Sequence, residues 1–158
     1  GLHVAPSMLE LMFRVKDSDH WFMISDASQA SGAPVGTYKF WGDFKVTIDK
    51  KGFCKSDTGR LMGSTKTVLY GISVLADRLH IPLEQIIKLS SLNAARFYGF
   101  EEKKGSLAVG KDADLVVINE EYQAVATFVE GRKVFDAALD TDLFNHDYVS
   151  KYQVNESA

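Results

Sequence analysis

The spacing of apolar residues divides the chain into helical and strand-like segments. Apolar residues recur at helical spacing in residues 6–15, from 66 to about 80, and from 82 to 99. Shorter apolar or alternating runs, bounded by glycine-containing turns, occupy residues 37–41, 44–48, 113–118, 122–129 and 133–135. The pattern predicts three helices and two groups of short strands, the first of them a β-hairpin or small meander.

One further apolar run, residues 21–25, ends in a carboxylate. We predict a buried strand over residues 21–27, which places Asp26 at its C-terminal tip before the polar, glycine- and proline-containing segment 28–36. Active-site residues of α/β barrels lie at such tips. An aspartate at a strand exit also commonly caps the turn or helix that follows. The local sequence leaves both interpretations open.

Composition bounds the class of protein. With 158 residues, 46% of them hydrophobic, the chain suits one domain or a domain with a small appendage. A net charge of -3 with both signs mixed along the chain argues against nucleic-acid and membrane-surface partners. Cys54 is the only cysteine, which excludes an intramolecular disulfide and a cysteine-based zinc cluster. No apolar run approaches the roughly 20 residues of a membrane span, so we expect a cytoplasmic protein.

The first residues, Gly1 to Val4, are apolar and strand-like and do not begin with methionine. We therefore expect a shortened piece of a longer protein. The order of the first elements predicts a βα unit with parallel strands. It consists of the strand end at residues 1–4, the helix over 6–15 and the strand over 21–27, and we expect the helix to pack against a sheet. Residues 59–65 contain two glycines but lack the lysine of a phosphate-binding loop, which favours a helix-entry turn, although amides at a helix start can bind an anion.

Four stretches resemble the C-terminal part of the amidohydrolase superfamily, and the first three jointly resemble its N-acetylglucosamine-6-phosphate deacetylase family. They are residues 1–4, residues 24–27 with 32–38, residues 59–64, and residues 93–96 with 99 and 104–117. The resemblance implies the C-terminal part of a metal-dependent TIM (β/α)8 barrel with strands of a small β-sandwich. Residues 1–104 then supply the last barrel strands and helices, with a β-hairpin insertion near 37–55, and residues 105–136 supply the sandwich strands. Residues 137–158 form a tail, either a docked helix or a frayed end.

The same resemblance implies a reaction and residue roles. The family removes the acetyl group from N-acetylglucosamine 6-phosphate, and Asp26 matches its general base and acid. His3 matches a histidine that contacts the sugar, although a lone histidine is otherwise most simply an ordinary surface or core residue. Leu61 and Met62 match a loop whose backbone contacts the substrate. The resemblance also implies a divalent metal, zinc or iron, a small-molecule sugar phosphate as substrate, and a homodimer of the complete enzyme.

The family's metal ligands, a glutamate and two histidines, lie upstream of the residues present here. We therefore expect the chain to be inactive by itself and to bind a divalent metal poorly, with Asp26 its only possible metal ligand. Two alternatives stay open. The chain can belong to another amidohydrolase, such as an N-acetylgalactosamine-6-phosphate deacetylase. It can also be a non-catalytic module that binds a partner through its helix pair and sandwich strands.

Overall fold

The computed structural model describes residues 1–141 and 152–154. In chain order its elements are α1 (Pro6–Val15), β1 (Gly36–Trp41), β2 (Phe44–Ile48), β3 (Phe53–Ser56), β4 (Leu61–Ser64), α2 (Val68–Ser73), α3 (Leu83–Ile87), α4 (Asn93–Phe97), β5 (Leu115–Ile118), β6 (Ala124–Val129) and β7 (Arg132–Asp136). A short 3₁₀ turn follows α1. A π-helical segment extends α2, and another joins α3 to α4, so the helices predicted from 66 to about 80 and from 82 to 99 are confirmed with slightly shorter bounds.

The chain divides into two units. The first unit comprises Gly1, His3–Ile24 and Val68–Thr141, and the second comprises Leu2, Ser25–Thr67 and the described tail residues 152–154. The helices and the sheet β5–β6–β7 belong to the first unit, and the sheet β1–β2–β3–β4 belongs to the second. Both sheets are antiparallel meanders.

The core of the first unit is built from the apolar faces of its helices. Ile72, Leu75, Ile86 and Leu89 are buried together. Burying a side chain of this size contributes about 1.5–3 kcal/mol. Helix α1 packs its partly buried side chains against this helical cluster. The expectation that α1 packs against a sheet is therefore wrong, because the neighbouring apolar surface in its unit is helical.

The second unit is organised by its four-stranded sheet. Tyr38, Val46, Ile48 and Cys54 of β1 to β3 are buried on one face together with Ala30. The hairpin predicted near 37–55 is confirmed, and the meander continues into β4. The helix-entry turn predicted over residues 59–65 is wrong, because residues 61–64 pair with β3 and therefore extend the sheet.

The strand predicted over residues 21–27 is not formed. Its first half lies in the first unit, where the Met23 N–H donates to the Leu89 carbonyl (2.8 Å) and the buried Asn93 amide donates to the carbonyls of Ser18 (2.7 Å) and Trp21 (2.8 Å). A helix and a side chain thus take the hydrogen bonds that a neighbouring strand would take. The structure describes no strand in residues 1–35, so the predicted βα unit is not formed within this part of the chain taken by itself.

The stretch after α4 is held by lysine contacts. Lys104 pairs with Asp112 (2.9 Å) and with Asp114, and the Lys111 ammonium donates to the Glu101 carbonyl and to the Ser106 hydroxyl (2.8 Å). These contacts fix a turn-rich connection into β5. The strands predicted over 113–118, 122–129 and 133–135 are confirmed as β5, β6 and β7 with small shifts at their ends.

Most of the tail predicted over residues 137–158 lies outside the described residues. Its described part, residues 152–154, pairs antiparallel with β1 through Tyr38 and Gln153. Among the helices that the structure describes, none has both the length and the hydrophobicity needed to cross a membrane.

Candidate active site

Asp26 lies in the second unit with its backbone in the left-handed region, at φ 50°. Its carbonyl accepts a hydrogen bond from the Ser64 N–H (2.6 Å), and the Ser28 N–H donates to the Ser64 carbonyl (2.9 Å). Ala27 and Ser64 form a single parallel bridge between these bonds. Left-handed backbone costs about 1–2 kcal/mol in a residue other than glycine, so β4 holds Asp26 in a conformation that a free chain would avoid.

Gly63 completes this arrangement. Its φ is +72°, and a Cβ placed there would lie 2.8 Å from the Asp26 carbonyl oxygen and 3.2 Å from the Ser28 Cβ. Both the backbone angle and the close approach therefore require glycine. The glycine lets β4 pass directly against the backbone of Asp26.

The Asp26 side chain is exposed. Among the described residues its carboxylate makes no hydrogen bond or ion pair, and the Ala27 N–H donates instead to the Ser25 hydroxyl (3.3 Å). The interpretation of Asp26 as a cap requires the carboxylate to accept such a bond from the following backbone. In the described part of the chain the side chain is thus available for another partner.

An open cavity of about 530 Å³ lies along the β3–β4 hairpin. Leu61, Met62 and Gly63 line its β4 side, and Phe44 and Arg60 also contribute to its wall. Leu61 is 50% exposed, whereas Met62 is partly buried against the core of the second unit. The predicted substrate-contacting pair directly precedes Gly63 in the sequence, and Asp26 is not among the residues that line the cavity. A cavity of this size can hold a small molecule.

His3 lies in the first unit, where it is exposed at a bend before α1. Its role as a contact to the sugar stays a prediction.

The described residues do not fit a closed metal site. Residues 1–141 and 152–154 contain no group of three or more His, Cys, Asp and Glu side chains that could hold a metal ion. Catalytic zinc sites use three protein ligands and structural sites use four. Asp26 can therefore be at most one ligand of a site completed by other residues.

Sequence reasoning missed the contribution of Gly63 and Ser64. The glycine-containing stretch is visible in the sequence, but the pattern does not show that its backbone bonds to Asp26. The apolar pair before Gly63 was the available signal for a strand, and a helix-entry turn fitted the same residues.

The sequence profile of the amidohydrolase family matches residues 23–135. This match covers more than half of the chain, so the protein belongs to the amidohydrolase family. It includes Asp26, the β3–β4 hairpin, β5, β6 and β7 up to residue 135.

Within this family the chain is similar to N-acetylglucosamine-6-phosphate deacetylases. It is 36% identical over 138 residues to that of Vibrio furnissii, a similarity that covers 87% of this chain and 34% of the relative. For the Bacillus subtilis protein of the same name, identity is 33% over 135 residues, covering 85% of this chain and 34% of the relative. The chain thus spans about a third of the length of these relatives.

Solved structures give the same likeness. The crystal structure of N-acetylglucosamine-6-phosphate deacetylase from Pasteurella multocida superposes with a TM-score of 0.76 at 28% identity, covering 84% of this chain and 34% of that one. The Thermotoga maritima deacetylase gives a TM-score of 0.76 at 29% identity, with 86% of this chain and 37% of the other covered. The fold of the chain is therefore that of the corresponding third of these proteins.

Proposed function

We propose that the chain is the C-terminal part of a metal-dependent amidohydrolase that converts N-acetylglucosamine 6-phosphate to glucosamine 6-phosphate and acetate. One observation carries the proposal. Asp26 presents an exposed carboxylate on a backbone that Gly63 and Ser64 hold in a strained conformation, inside the region that matches the family. Strained backbone at a free acidic side chain is typical of functional sites.

In this proposal Asp26 is the general base and then the general acid. Its carboxylate accepts a proton from the water that attacks the acetamide carbonyl, so that a C–O bond forms. It then donates that proton to the departing nitrogen as the C–N bond breaks. A positioned acid or base of this kind accelerates such reactions by about 10²–10⁴-fold.

The remaining assignments follow from the same family relationship. His3 contacts the sugar, and the backbone of Leu61 and Met62 contacts the substrate. Residues 1–104 form the last part of a TIM barrel, residues 105–136 form strands of the β-sandwich, and residues 137–158 form the tail. The divalent metal, zinc or iron, takes its ligands from the two thirds of the relatives' length that this chain does not span. The complete protein is a cytoplasmic homodimer.

A hybrid enzyme tests the proposal. In it, this chain replaces the matching C-terminal third of the Vibrio furnissii relative, and acetate release from N-acetylglucosamine 6-phosphate is measured. Asp26→Asn should lower kcat at least 10²-fold, because the amide cannot accept the proton. Asp43→Asn is the matched control, since Asp43 lies in the β1–β2 turn with a fully exposed side chain (100%). It should change kcat less than about threefold, as an exposed turn residue does.

The outcomes separate the possible functions. Faster turnover of N-acetylgalactosamine 6-phosphate would move the assignment to that substrate. A folded hybrid that releases no acetate from either sugar phosphate, or one in which the two aspartate variants are equally active, would contradict the role of Asp26.

A further inference from the structure

We propose that residues 152–154, the tail strand, are a positioning element for Asp26. The tail strand lies outside residues 23–135, the region that matches the amidohydrolase family, and it belongs to the same unit as Asp26. The inference rests on the proposed role of Asp26 in the reaction.

The tail strand covers the open edge of β1. In the sheet order β1–β2–β3–β4, β1 has a neighbour on one side only. On its other side the Lys39 N–H donates to the Tyr152 carbonyl (2.8 Å), and the Val154 N–H donates to the Thr37 carbonyl (2.8 Å). These bonds flank a single antiparallel bridge between Tyr38 and Gln153, and they satisfy backbone groups that an edge strand otherwise exposes.

Side chains extend this contact toward the segment that leads from Asp26 into β1. The Tyr152 ring lies 5.2 Å from the Phe40 ring and packs against the core of the second unit. The side-chain nitrogen Nε2 of Gln153 lies 3.0 Å from the position that a Cβ on Gly36 would take. Tyr38, which is 1% exposed, donates its hydroxyl to the Pro34 carbonyl (2.8 Å). The tail strand therefore packs on the end of the segment 28–36.

The same core also contacts β4, the strand that holds the Asp26 backbone. Met62 packs against the cluster that Tyr152 also contacts, and it directly precedes Gly63 and Ser64, which hold the Asp26 backbone. A strained backbone persists only where its surroundings over-determine it. Removing the tail strand loosens both β1 and this shared cluster, so the Ser64 bond to the Asp26 carbonyl should open more often.

Two variants at residue 154 test this inference by amide hydrogen exchange. Val154→Pro removes the N–H that donates to Thr37. Val154→Ala is the matched control at the same position, because it shortens the side chain but keeps the N–H and therefore both bonds to β1. The amides of Lys39 and Ser64 report on the tail strand and on the Asp26 backbone, and the Ile86 amide of the first unit serves as the internal control.

Val154→Pro should accelerate exchange of the Lys39 and Ser64 amides by at least about tenfold. In Val154→Ala these two amides should exchange within about twofold of their rates in the original chain, and so should the Ile86 amide in both variants. Acceleration at Lys39 without any at Ser64 would overturn the inference, since the tail strand would then cover an edge without positioning Asp26. No acceleration at either amide would also overturn it.

A second pair covers the case in which Val154→Pro unfolds the chain. Tyr152→Ala removes the ring that packs on Phe40, whereas Tyr152→Phe keeps it. The alanine variant should accelerate exchange at Ser64 and the phenylalanine variant should not. In the hybrid enzyme, Tyr152→Ala should lower kcat about tenfold with KM within about threefold, as expected for a misplaced base. Exchange data do not depend on turnover, so an inactive hybrid with the expected exchange pattern would refute the proposed reaction and leave the positioning contact intact.

Discussion

At the scale of single residues, the backbone of Asp26 is set by a neighbour with no side chain. The Asp26 carbonyl and Gly63 approach so closely that a Cβ would lie 2.8 Å from the oxygen. Asp26 could be singled out from the sequence because an acidic residue follows an apolar run and matches a family motif. Its left-handed backbone could not, because that conformation depends on a bond from Ser64, far along the chain.

Two glycine substitutions measure this contact. Gly63→Ala should destabilise the second unit by about 2–5 kcal/mol, because it combines left-handed strain with a backbone clash. Gly59→Ala is the matched control, since its φ is +79° but no atom lies within 4 Å of the added Cβ. It should cost only about 1–2 kcal/mol. Urea unfolding, followed through the amide signals of Val46 and Ile48, gives both values, and equal costs would disprove the clash.

The Cys54 thiol should be almost unreactive in the folded chain. It is 0% exposed, and burial raises the pKa of the thiol above its ordinary value of 9.0. Both effects lower the amount of accessible thiolate, which is the reactive form. At pH 8, labelling with a disulfide reagent should be at least about 100-fold slower than in urea, where exposure restores ordinary reactivity. Labelling of the native chain at the unfolded rate would show that the second unit opens easily.

At the scale of elements, the sequence predicted what local pattern determines. Helices α2 to α4 and strands β5 to β7 follow their apolar spacing, and the hairpin β1–β2 follows its turn. The strand over residues 21–27 failed because the Asn93 side chain and the Leu89 carbonyl, more than 60 residues away in sequence, take its backbone groups. Strand β4 was not predicted, because residues 61–64 become a strand by pairing with β3 and their own apolar pattern does not indicate one.

The connection between α4 and β5 should weaken in acid. Two contacts lower the pKa of Asp114 below its ordinary 3.8. The hydrogen bond from the Lys104 ammonium has the larger effect, and the hydrogen bond from the Glu130 N–H has the smaller one. A carboxylate with a lowered pKa in the folded state stabilises the fold above about pH 3.8, and that contribution is lost as the pH falls through the lowered value. Asp114→Asn should therefore lower the thermal midpoint by a few degrees at pH 6 and by less at pH 3.

Salt provides the control for this electrostatic interpretation. Lys104, Asp112 and Asp114 are partly exposed, so about 0.5 M sodium chloride should screen their attraction and reduce the difference between Asp114→Asn and the original chain at pH 6. A difference that is the same at pH 3 and pH 6, or insensitive to salt, would contradict the electrostatic interpretation, because Asp114→Asn keeps a side-chain oxygen that can accept the bond from the Glu130 N–H.

At the scale of the whole chain, Asp26 is proposed as a base, but the part of the chain that the structure describes holds no metal-binding set. The chain spans about a third of its relatives, and its described residues include no group of three or more potential metal ligands. The two units nevertheless each have their own buried core. We therefore expect a chain that folds and that keeps the Asp26 backbone in place without holding the metal of the complete enzyme.

Zinc retention tests this expectation directly. After equilibration with zinc and gel filtration, the chain should retain less than about 0.1 equivalent by elemental analysis, because one carboxylate and one histidine do not make the three-ligand set of a zinc site. Asp26→Ala and His3→Ala should leave this value unchanged, and the hybrid enzyme should retain zinc that dialysis against a chelator removes. One tightly held equivalent on the chain itself, lost in Asp26→Ala, would show that Asp26 belongs to a metal site formed within these residues.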